Sequence, residues 1–224
     1  QTLCDVFGLT LSFPSAAATV KVASTSATDA TGGTGAIVLR LTGLDALLDE
    51  VSEDVTLTGQ TAVETTGTFY RINRMQVISA GANSANDGVI YCAANDDTFA
   101  DGVPTTPYSV VAALVGESRC GIYTTPGATK TIPLHILYSS GEADEIECTV
   151  EVRPAGSTVW YQTFDIYASS GSAGYYETRA AEAISAGTDV RIMARSAVSY
   201  GAFRMSIAAT QKFYDRDWRV ITEY

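Results

Sequence analysis

The sequence predicts an all-β protein, an antiparallel β-sandwich that is jelly-roll-like and carries an extended N-terminal arm. Between Val55 and Ile90, short runs of valine, isoleucine, threonine, tyrosine and phenylalanine alternate with polar residues and are broken by glycine or Asn/Asp turns. The same pattern resumes at Tyr108 and continues almost to the C-terminus. Roughly eight to twelve strands at this spacing favour a jelly roll or a related sandwich.

The composition supports a packed core beneath a surface of low charge. Hydrophobic residues make up 46% of the 224 residues, and charged residues make up only 17%, below the roughly 25% that is usual for soluble domains. Low-charge β surfaces suit proteins that lose much of their exterior to neighbours. Eleven of the fourteen basic residues are arginine, a bias that favours contacts between subunits because guanidinium groups tolerate partial burial.

The charge balance argues against two classes of partner. The net charge is −11, and residues 40–110 hold ten acids against three bases, so we expect the chain to bind neither nucleic acid phosphates nor an anionic membrane. No apolar run approaches the ~20 residues that span a bilayer. The N-terminus lacks a basic region, so the sequence predicts no secretory signal there.

The domain organisation that the sequence predicts is an extended arm over residues 1–36 followed by a β-sandwich over residues 37–224, with a candidate subdivision near 108–116. The arm is small, polar and nearly uncharged, with a weak strand at 19–22, so it should become ordered only against a neighbour. Apolar residues at helical spacing predict one or two helical turns over Asp45–Val51.

Two groups of acidic residues are candidates for a metal site. The first group lies in and just after the predicted helical turns and is interpreted mainly as a solvated helical face. Its members are Asp45, Asp49, Glu50, Glu53 and Asp54. Calcium is the alternative for this group, although no DxDxDG order supports it. The second group is Asp96, Asp97 and Asp101 in the loop over residues 94–107. For this group a mobile surface loop is favoured over a cation site.

The candidate catalytic residues are few. His135 is the only histidine, and the alternation of TIPLHILYS places it in a strand, where we expect a hydrogen bond to a neighbour. No GxSxG motif supplies a nucleophile, and the glycine-rich GGTGAIV lacks the GK[ST] of a P-loop. The sequence therefore predicts no enzyme activity, no cofactor, and no catalytic, cofactor-binding or metal-binding residues.

The cysteines and a cluster of aromatic residues each leave two interpretations open. The spacing of Cys4, Cys92, Cys120 and Cys148 contains no CxxC pair, so isolated buried thiols are favoured over two disulfides. Tyrosines cluster around Trp160, which is typical of a core or interface belt and also of a sugar-binding platform. The members of this cluster are Tyr161, Tyr167, Tyr175 and Tyr176.

Several short motifs follow one another in a fixed order along the chain. The run TGLDALLDEVSEDVTLTGQTAVETTGTFYRINRMQVISAG contains an acidic turn, VTL-G, V-T-T, F-RIN and V-SAG. It is followed by the segments IYTTPGATKTIPLHILYSS, VEVRPAGSTVWYQTF and ISAGTDVRIMARS. These motifs in this order resemble virion structural proteins of tailed bacteriophages, particularly marine and cyanobacterial ones. The match covers roughly residues 40–210 and brings no catalytic residues with it.

The resemblance implies a capsid decoration, cement or fibre-type component with jelly-roll or related β architecture. The favoured role is a cement protein on the virion's outer capsid surface that binds the major capsid protein and stabilises contacts between capsomers. By analogy with decoration proteins at local threefold axes, we expect a homotrimer. The arm over residues 1–36 and the loop over residues 94–107 are the expected contact segments.

Two other functions stay open on the sequence alone. The first is a receptor- or glycan-binding module of a phage fibre or tail, which would require an exposed groove of tyrosine and tryptophan near Trp160–Tyr176. The second is a secreted β-sandwich hydrolase, which would require a serine and an aspartate beside His135 in an open pocket.

Overall fold

The structure is a computed structural model that describes residues 11–118, 120–127, 134–140, 146–168, 173–177, 184–196 and 203–209. Every regular element in this described part is a β-strand, and every strand pairing in it is antiparallel. The predicted all-β antiparallel architecture is therefore confirmed, whereas its jelly-roll-like topology stays a prediction. The described part contains no helix that is long and apolar enough to cross a membrane.

The chain divides between Cys120 and Gly121 into two compact units, called here the N-terminal and C-terminal units. The boundary lies just after the range 108–116, near which the sequence predicts a subdivision. The strands of the N-terminal unit are β1 (Val20–Ser24), β2 (Ala36–Leu44), β3 (Glu50–Thr56), β4 (Val63–Glu64), β5 (Arg71–Ala80), β6 (Ile90–Ala94), β7 (Phe99–Ala100), β8 (Val103–Pro104) and β9 (Pro107–Val111).

The N-terminal unit is a β-sandwich. One sheet has the strand order β4-β1-β6-β9, the other has the order β3-β2-β5, and β7 and β8 form a separate small hairpin. Apolar side chains from both sheets share one buried cluster, which explains the alternation of apolar and polar residues along these strands. The largest fully buried members are Phe69, Leu39, Leu41, Leu57, Met75 and Ile90.

The expectation of an extended arm over residues 1–36 is wrong for the residues that the structure describes there. β1 lies between β4 and β6 in its sheet, and Val20 and Val22 are almost completely buried. The consecutive residues Val22, Ala23 and Ser24 are completely buried, so this end of β1 is covered on both faces. Residues 1–10 lie outside the described part.

The helix expected over Asp45–Val51 is also wrong. Residues 45–49 form the turn of the β2–β3 hairpin, and Leu48 takes a left-handed conformation with φ of 65°. The Asp45 carboxylate accepts hydrogen bonds from the backbone N–H groups of Leu47 (2.8 Å) and Asp49 (3.0 Å). A one-turn helix recovers little of its nucleation cost, so this side-chain-to-backbone alternative prevails.

The C-terminal unit contains two further antiparallel sheets. One has the order β10-β15-β12-β13, and the other has the order β14-β11-β16. Val150, Val190 and Ile192 are fully buried on one face of the first sheet. The strands are β10 (Ile122–Thr124), β11 (Leu134–Ser140), β12 (Ile146–Arg153), β13 (Tyr161–Ala168), β14 (Ala173–Glu177), β15 (Asp189–Ser196) and β16 (Phe203–Ala209).

Candidate interaction surfaces

A completely buried carboxylate organises one group of loops in the N-terminal unit. Asp29 Oδ1 accepts hydrogen bonds from the backbone N–H groups of Ala36 (2.7 Å) and Asp87 (2.8 Å). Its Oδ2 accepts the N–H of Gly88 (2.9 Å) and the hydroxyl of Ser24. Because these partners lie at the end of β1, the start of β2 and the turn before β6, one side chain joins the β1–β2 connection to the β5–β6 connection.

Asp87 extends this network to the surface. Its Oδ2 accepts hydrogen bonds from the hydroxyl groups of Thr28 (2.6 Å) and Thr34 (2.8 Å), and its Oδ1 accepts one from the side-chain amide of Asn83 (2.7 Å). The hydrogen bonds from Thr28, Asn83 and Thr34 hold the pKa of Asp87 below its usual range, because they favour the ionised form. The β1–β2 and β5–β6 connections therefore meet at a second carboxylate, at the surface.

Asp97 closes the loop over residues 94–107 in a similar way. Its carboxylate accepts the backbone N–H groups of Thr98 (2.7 Å), Thr105 (3.2 Å) and Thr106 (2.8 Å). Burial alone would raise its pKa, but these backbone hydrogen bonds outweigh burial and lower the pKa. The loop contains the β7–β8 hairpin and exposes Val103 at 36%. The Asp97 carboxylate therefore connects both ends of this loop, and the mobility that the sequence predicts for it stays a prediction.

The acidic residues near the β2–β3 hairpin do not form the solvated helical face that the sequence predicts. Glu53 accepts the backbone N–H groups of Thr66 and Gly67, each at 2.8 Å. Asp54 makes a bidentate pair with Arg40, with N–O distances of 2.7 and 2.8 Å. These carboxylates orient loops and neighbouring side chains.

No group of three or more His, Cys, Asp or Glu side chains among the described residues is arranged to hold a metal ion. Asp45, Glu53 and Asp97 instead bind backbone N–H groups, as described above. Sequence reasoning missed Asp29 and Asp87 because neither belongs to an acidic run. The available signal was their position between small polar residues and glycine, in ATDATGG and SANDG, which is typical of side-chain-capped turns.

The pKa directions of Asp87 and Asp97 predict that acid weakens the N-terminal unit. A carboxyl group whose pKa is lowered by folding stabilises the fold above its unfolded pKa, and the stabilisation is lost as pH falls through the folded value. We expect the urea midpoint of the N-terminal unit, followed by far-UV circular dichroism, to fall below about pH 4. Asp87→Asn should flatten this dependence. An unchanged slope in that variant would contradict the role of Asp87.

A buried arginine attaches the segment before β1 to the N-terminal sandwich. Arg71 is 6% exposed, and its Nη1 donates hydrogen bonds to the carbonyl oxygens of Pro14 (2.9 Å) and Tyr70 (2.7 Å). Its guanidinium lies 3.9 Å from the ring centroid of Tyr70 and 5.5 Å from that of Phe13. Residues 13 and 14 are therefore part of this unit, although the sequence assigns them to the arm.

The structure describes the side chains of two cysteines, Cys92 and Cys120, and Cys92 is a free thiol. Cys92 is completely buried in the core cluster, and this burial raises its pKa far above the ordinary value for a thiol. The prediction of isolated buried thiols is confirmed for Cys92, whereas Cys120 is half-buried. The side chains of Cys4 and Cys148 lie outside the described part.

His135 lies on β11, beside Glu177 of β14 and Ala208 of β16 in the strand register. Its predicted place in a strand is therefore confirmed. The side chain of His135 lies outside the described part, so the hydrogen bond that the sequence predicts for it stays a prediction.

Trp160 lies in a cluster of charged residues on the C-terminal unit. The guanidinium groups of Arg153 and Arg191 lie 4.7 and 4.1 Å from the Trp160 ring centroid. Arg153 donates from Nε and Nη2 to Asp189 Oδ2 at 2.9 and 2.6 Å, and Arg191 donates from Nε to Glu151 at 2.6 Å. Both guanidinium groups are thus oriented by carboxylates across neighbouring strands.

Tyr161 does not share a groove with Trp160. Tyr161 of β13 pairs with Val152 of β12, whereas Arg191 of β15 pairs with Glu151, the neighbour of Val152 in β12. Because side chains alternate between the faces of a sheet, Tyr161 lies on the face opposite to the guanidinium groups that contact Trp160. Tyr161 is 53% exposed, but these two rings alone do not provide the shared platform that glycan binding requires. The side chains of Tyr167, Tyr175 and Tyr176 lie outside the described part.

In the part of the chain that the structure describes, carboxylates hold several loops between β-strands, and a few large apolar side chains are exposed. The exposed large apolar residues among those described are Leu47, Ile78, Val103, Leu114, Val159 and Tyr161. Comparison of the chain with family models, with curated proteins and with solved structures finds no match.

Proposed function

We propose that this chain is a virion structural protein, a cement or decoration protein that binds the outer surface of a phage capsid. The support comes first from the motif order between residues 40 and 210, which resembles virion proteins of tailed bacteriophages. It comes second from the organised loops of the N-terminal unit. A cement protein must hold its contact loops in place before it meets the shell, because loop ordering on binding reduces affinity.

The observation that carries the proposal is the repeated use of carboxylates to fix loops. Asp29, Asp45, Glu53 and Asp97 each accept at least two backbone N–H groups. Such bonds pre-organise a surface without a metal ion. In a binding protein they reduce the entropy that is lost on docking.

The proposed partner is the major capsid protein, and the proposed assembly is a homotrimer at a local threefold axis. In this arrangement each unit would contact the shell or a symmetry-related copy and would link adjacent capsomers against internal pressure. The loop over residues 94–107, with its exposed Val103 and its carboxylate Asp97, is retained as a contact segment.

The test is to locate the chain in intact particles of the phage that encodes it. Cryo-electron microscopy should find hundreds of copies over the shell at threefold or twofold positions, with a fixed ratio to the major capsid protein. A few copies at one vertex or on the tail would contradict the cement function and support receptor binding. Absence from the particles would contradict both.

A further inference from the structure

The three-stranded sheet of the N-terminal unit has one covered edge and one uncovered edge. β5 forms the covered edge: the N–H of Val77 donates to the carbonyl oxygen of Gly116 (2.8 Å), and the N–H of Ser118 donates to that of Met75 (2.8 Å). β3 forms the other edge of the same sheet. None of the described residues makes a backbone hydrogen bond to the outer side of β3.

The hydrogen bonds at both ends of the β2–β3 hairpin determine which backbone groups are free. The N–H of Asp45 donates to Asp49 O (3.0 Å), and the N–H of Leu57 donates to Ile37 O (2.9 Å). Hydrogen-bonded pairs alternate along an antiparallel ladder, so the odd-numbered residues of β3 bond to β2. The residues whose N–H and C=O groups point outward are therefore Glu50, Ser52, Asp54 and Thr56, all of them exposed.

The charges along this edge exclude a second copy of β3 as its natural partner. Two β3 strands paired about a twofold axis would bring acidic residues close to acidic residues, which is destabilising. Asp54 is already paired with Arg40, whereas Asp49 and Glu50 have no ion pair among the described residues. The edge is thus complementary to a strand that carries lysine or arginine near residues 49 and 50.

The tip of the same hairpin holds an apolar side chain in solvent. Leu47 is 77% exposed, and its backbone N–H is fixed by Asp45. Leu48 beside it takes the left-handed conformation, which costs a non-glycine residue about 1 kcal/mol. A single exposed leucine is ordinary, but this one lies on a fixed turn at the end of an uncovered edge.

We propose that the β3 edge and Leu47 form one docking surface for an extended basic segment of a partner protein. The segment would pair with β3 as a fourth strand of the sheet, because strand addition satisfies the outward backbone groups of Ser52 and Asp54. It would place lysine or arginine near Asp49 and Glu50 and an apolar pocket around Leu47. This inference rests on the proposed function, because that function identifies the partner as the shell protein.

Two variants separate the docking surface from the fold. Ser52→Pro removes one outward N–H and no bond to β2, and proline is tolerated on edge strands where the N–H faces solvent. Leu47→Ser removes the apolar contact at the tip. Leu114→Ser is the matched control, because Leu114 is also highly exposed, at 71%, and lies on the segment after β9.

The full chain is tested against two probes. The first is capsid shell of the same phage assembled without this chain. The second is a peptide of about ten residues that alternates lysine with valine, with a glutamate–valine peptide as its control. Amide hydrogen exchange of Ser52 and Asp54 reports strand addition, and co-sedimentation reports shell binding.

We expect the shell and the basic peptide to protect both amides and the acidic peptide to protect neither. Ser52→Pro and Leu47→Ser should weaken shell binding about tenfold or more, and Leu114→Ser should leave it unchanged. Protection of neither amide by either probe would overturn the inference, as would shell binding by both variants that equals wild type. A dimer of the chain that Ser52→Pro abolishes would also overturn it and assign the edge to a second copy.

Failure of the proposed function gives a different result. If the basic peptide protects Ser52 and Asp54 but the shell neither binds nor protects them, the docking surface stands and the cement function is contradicted. If the shell binds wild type and both variants equally, the cement function stands and the docking surface is contradicted.

Discussion

Replacement of Asp29 by alanine should lower the free energy of unfolding of the N-terminal unit by about 3–5 kcal/mol. The carboxylate is completely buried and accepts three backbone N–H groups and one hydroxyl. Removing it leaves several donors unsatisfied, and the N–H groups of Ala36 and Gly88 are themselves buried. Each such donor costs about 1–3 kcal/mol, so the sum is large even when the loops relax.

The measurement must report on the N-terminal unit itself. Both tryptophans, Trp160 and Trp218, follow residue 120, so tryptophan fluorescence does not observe it. Urea unfolding followed by amide exchange of β1 and β6 observes it directly, because both strands belong to this unit. Amides of the connections that Asp29 joins should lose protection first, because their bonds to the carboxylate are gone.

Two further variants interpret the result. Asp96→Asn removes a charge from an exposed position and should change stability by less than about 0.5 kcal/mol. Asp29→Asn keeps the shape but directs an amide group toward donors, so it should also destabilise strongly. If Asp29→Ala unfolds within about 1 kcal/mol of wild type, the carboxylate does not organise these loops.

The sequence predicts the sandwich well because strand alternation is a direct consequence of burial. The alternation in β2 and β5 places Leu39, Leu41 and Met75 in the core, and the same alternation is visible in the printed sequence. Register and partner choice depend on residues far apart in the chain. For example, the pairing of Val22 with Cys92 joins positions that no local pattern connects.

The sequence fails where a side chain replaces regular structure. Leu44, Leu47, Leu48 and Val51 have helical spacing, but the Asp45 carboxylate captures the N–H of Asp49, which in a helix would donate to the Asp45 carbonyl oxygen. Local propensity and this hydrogen-bonded alternative differ little in energy, so spacing alone does not decide between them.

The interpretation of residues 11–36 as an arm fails for a related reason. Few charges and small side chains are typical both of a segment without a core and of a strand covered on both faces. Val22 and Ala23, which lie on opposite faces of β1 and are both completely buried, identify the second case. Asp29 is equally hard to find, because a lone aspartate in a polar loop gives no sign of burial. In the structure Gly35 leaves room for this carboxylate, because a Cβ there would lie 2.0 Å from Asp29 Oδ1.

The second large effect is expected from Asp189→Ala in the C-terminal unit. Asp189 is 3% exposed, and it accepts two hydrogen bonds from Arg153 and one from the hydroxyl of Thr124 (2.6 Å). Its removal leaves a largely buried guanidinium without this counter-charge. Breaking a buried ion pair at one partner costs about 3–5 kcal/mol, and the 20% exposure of the Arg153 side chain reduces the expected loss to about 3 kcal/mol.

The test of this prediction uses Trp160 as its reporter, because Arg153 lies 4.7 Å from the indole ring. Urea unfolding followed by tryptophan fluorescence gives the loss for Asp189→Ala. Glu151→Gln is the matched control, since its more exposed pair with Arg191 should contribute no more than about 1 kcal/mol. If the lost counter-charge is the cause, Arg153→Met combined with Asp189→Ala should be more stable than the two separate losses predict. Strict additivity would show instead that Asp189 stabilises this unit mainly through its hydrogen bond from Thr124 and not through Arg153.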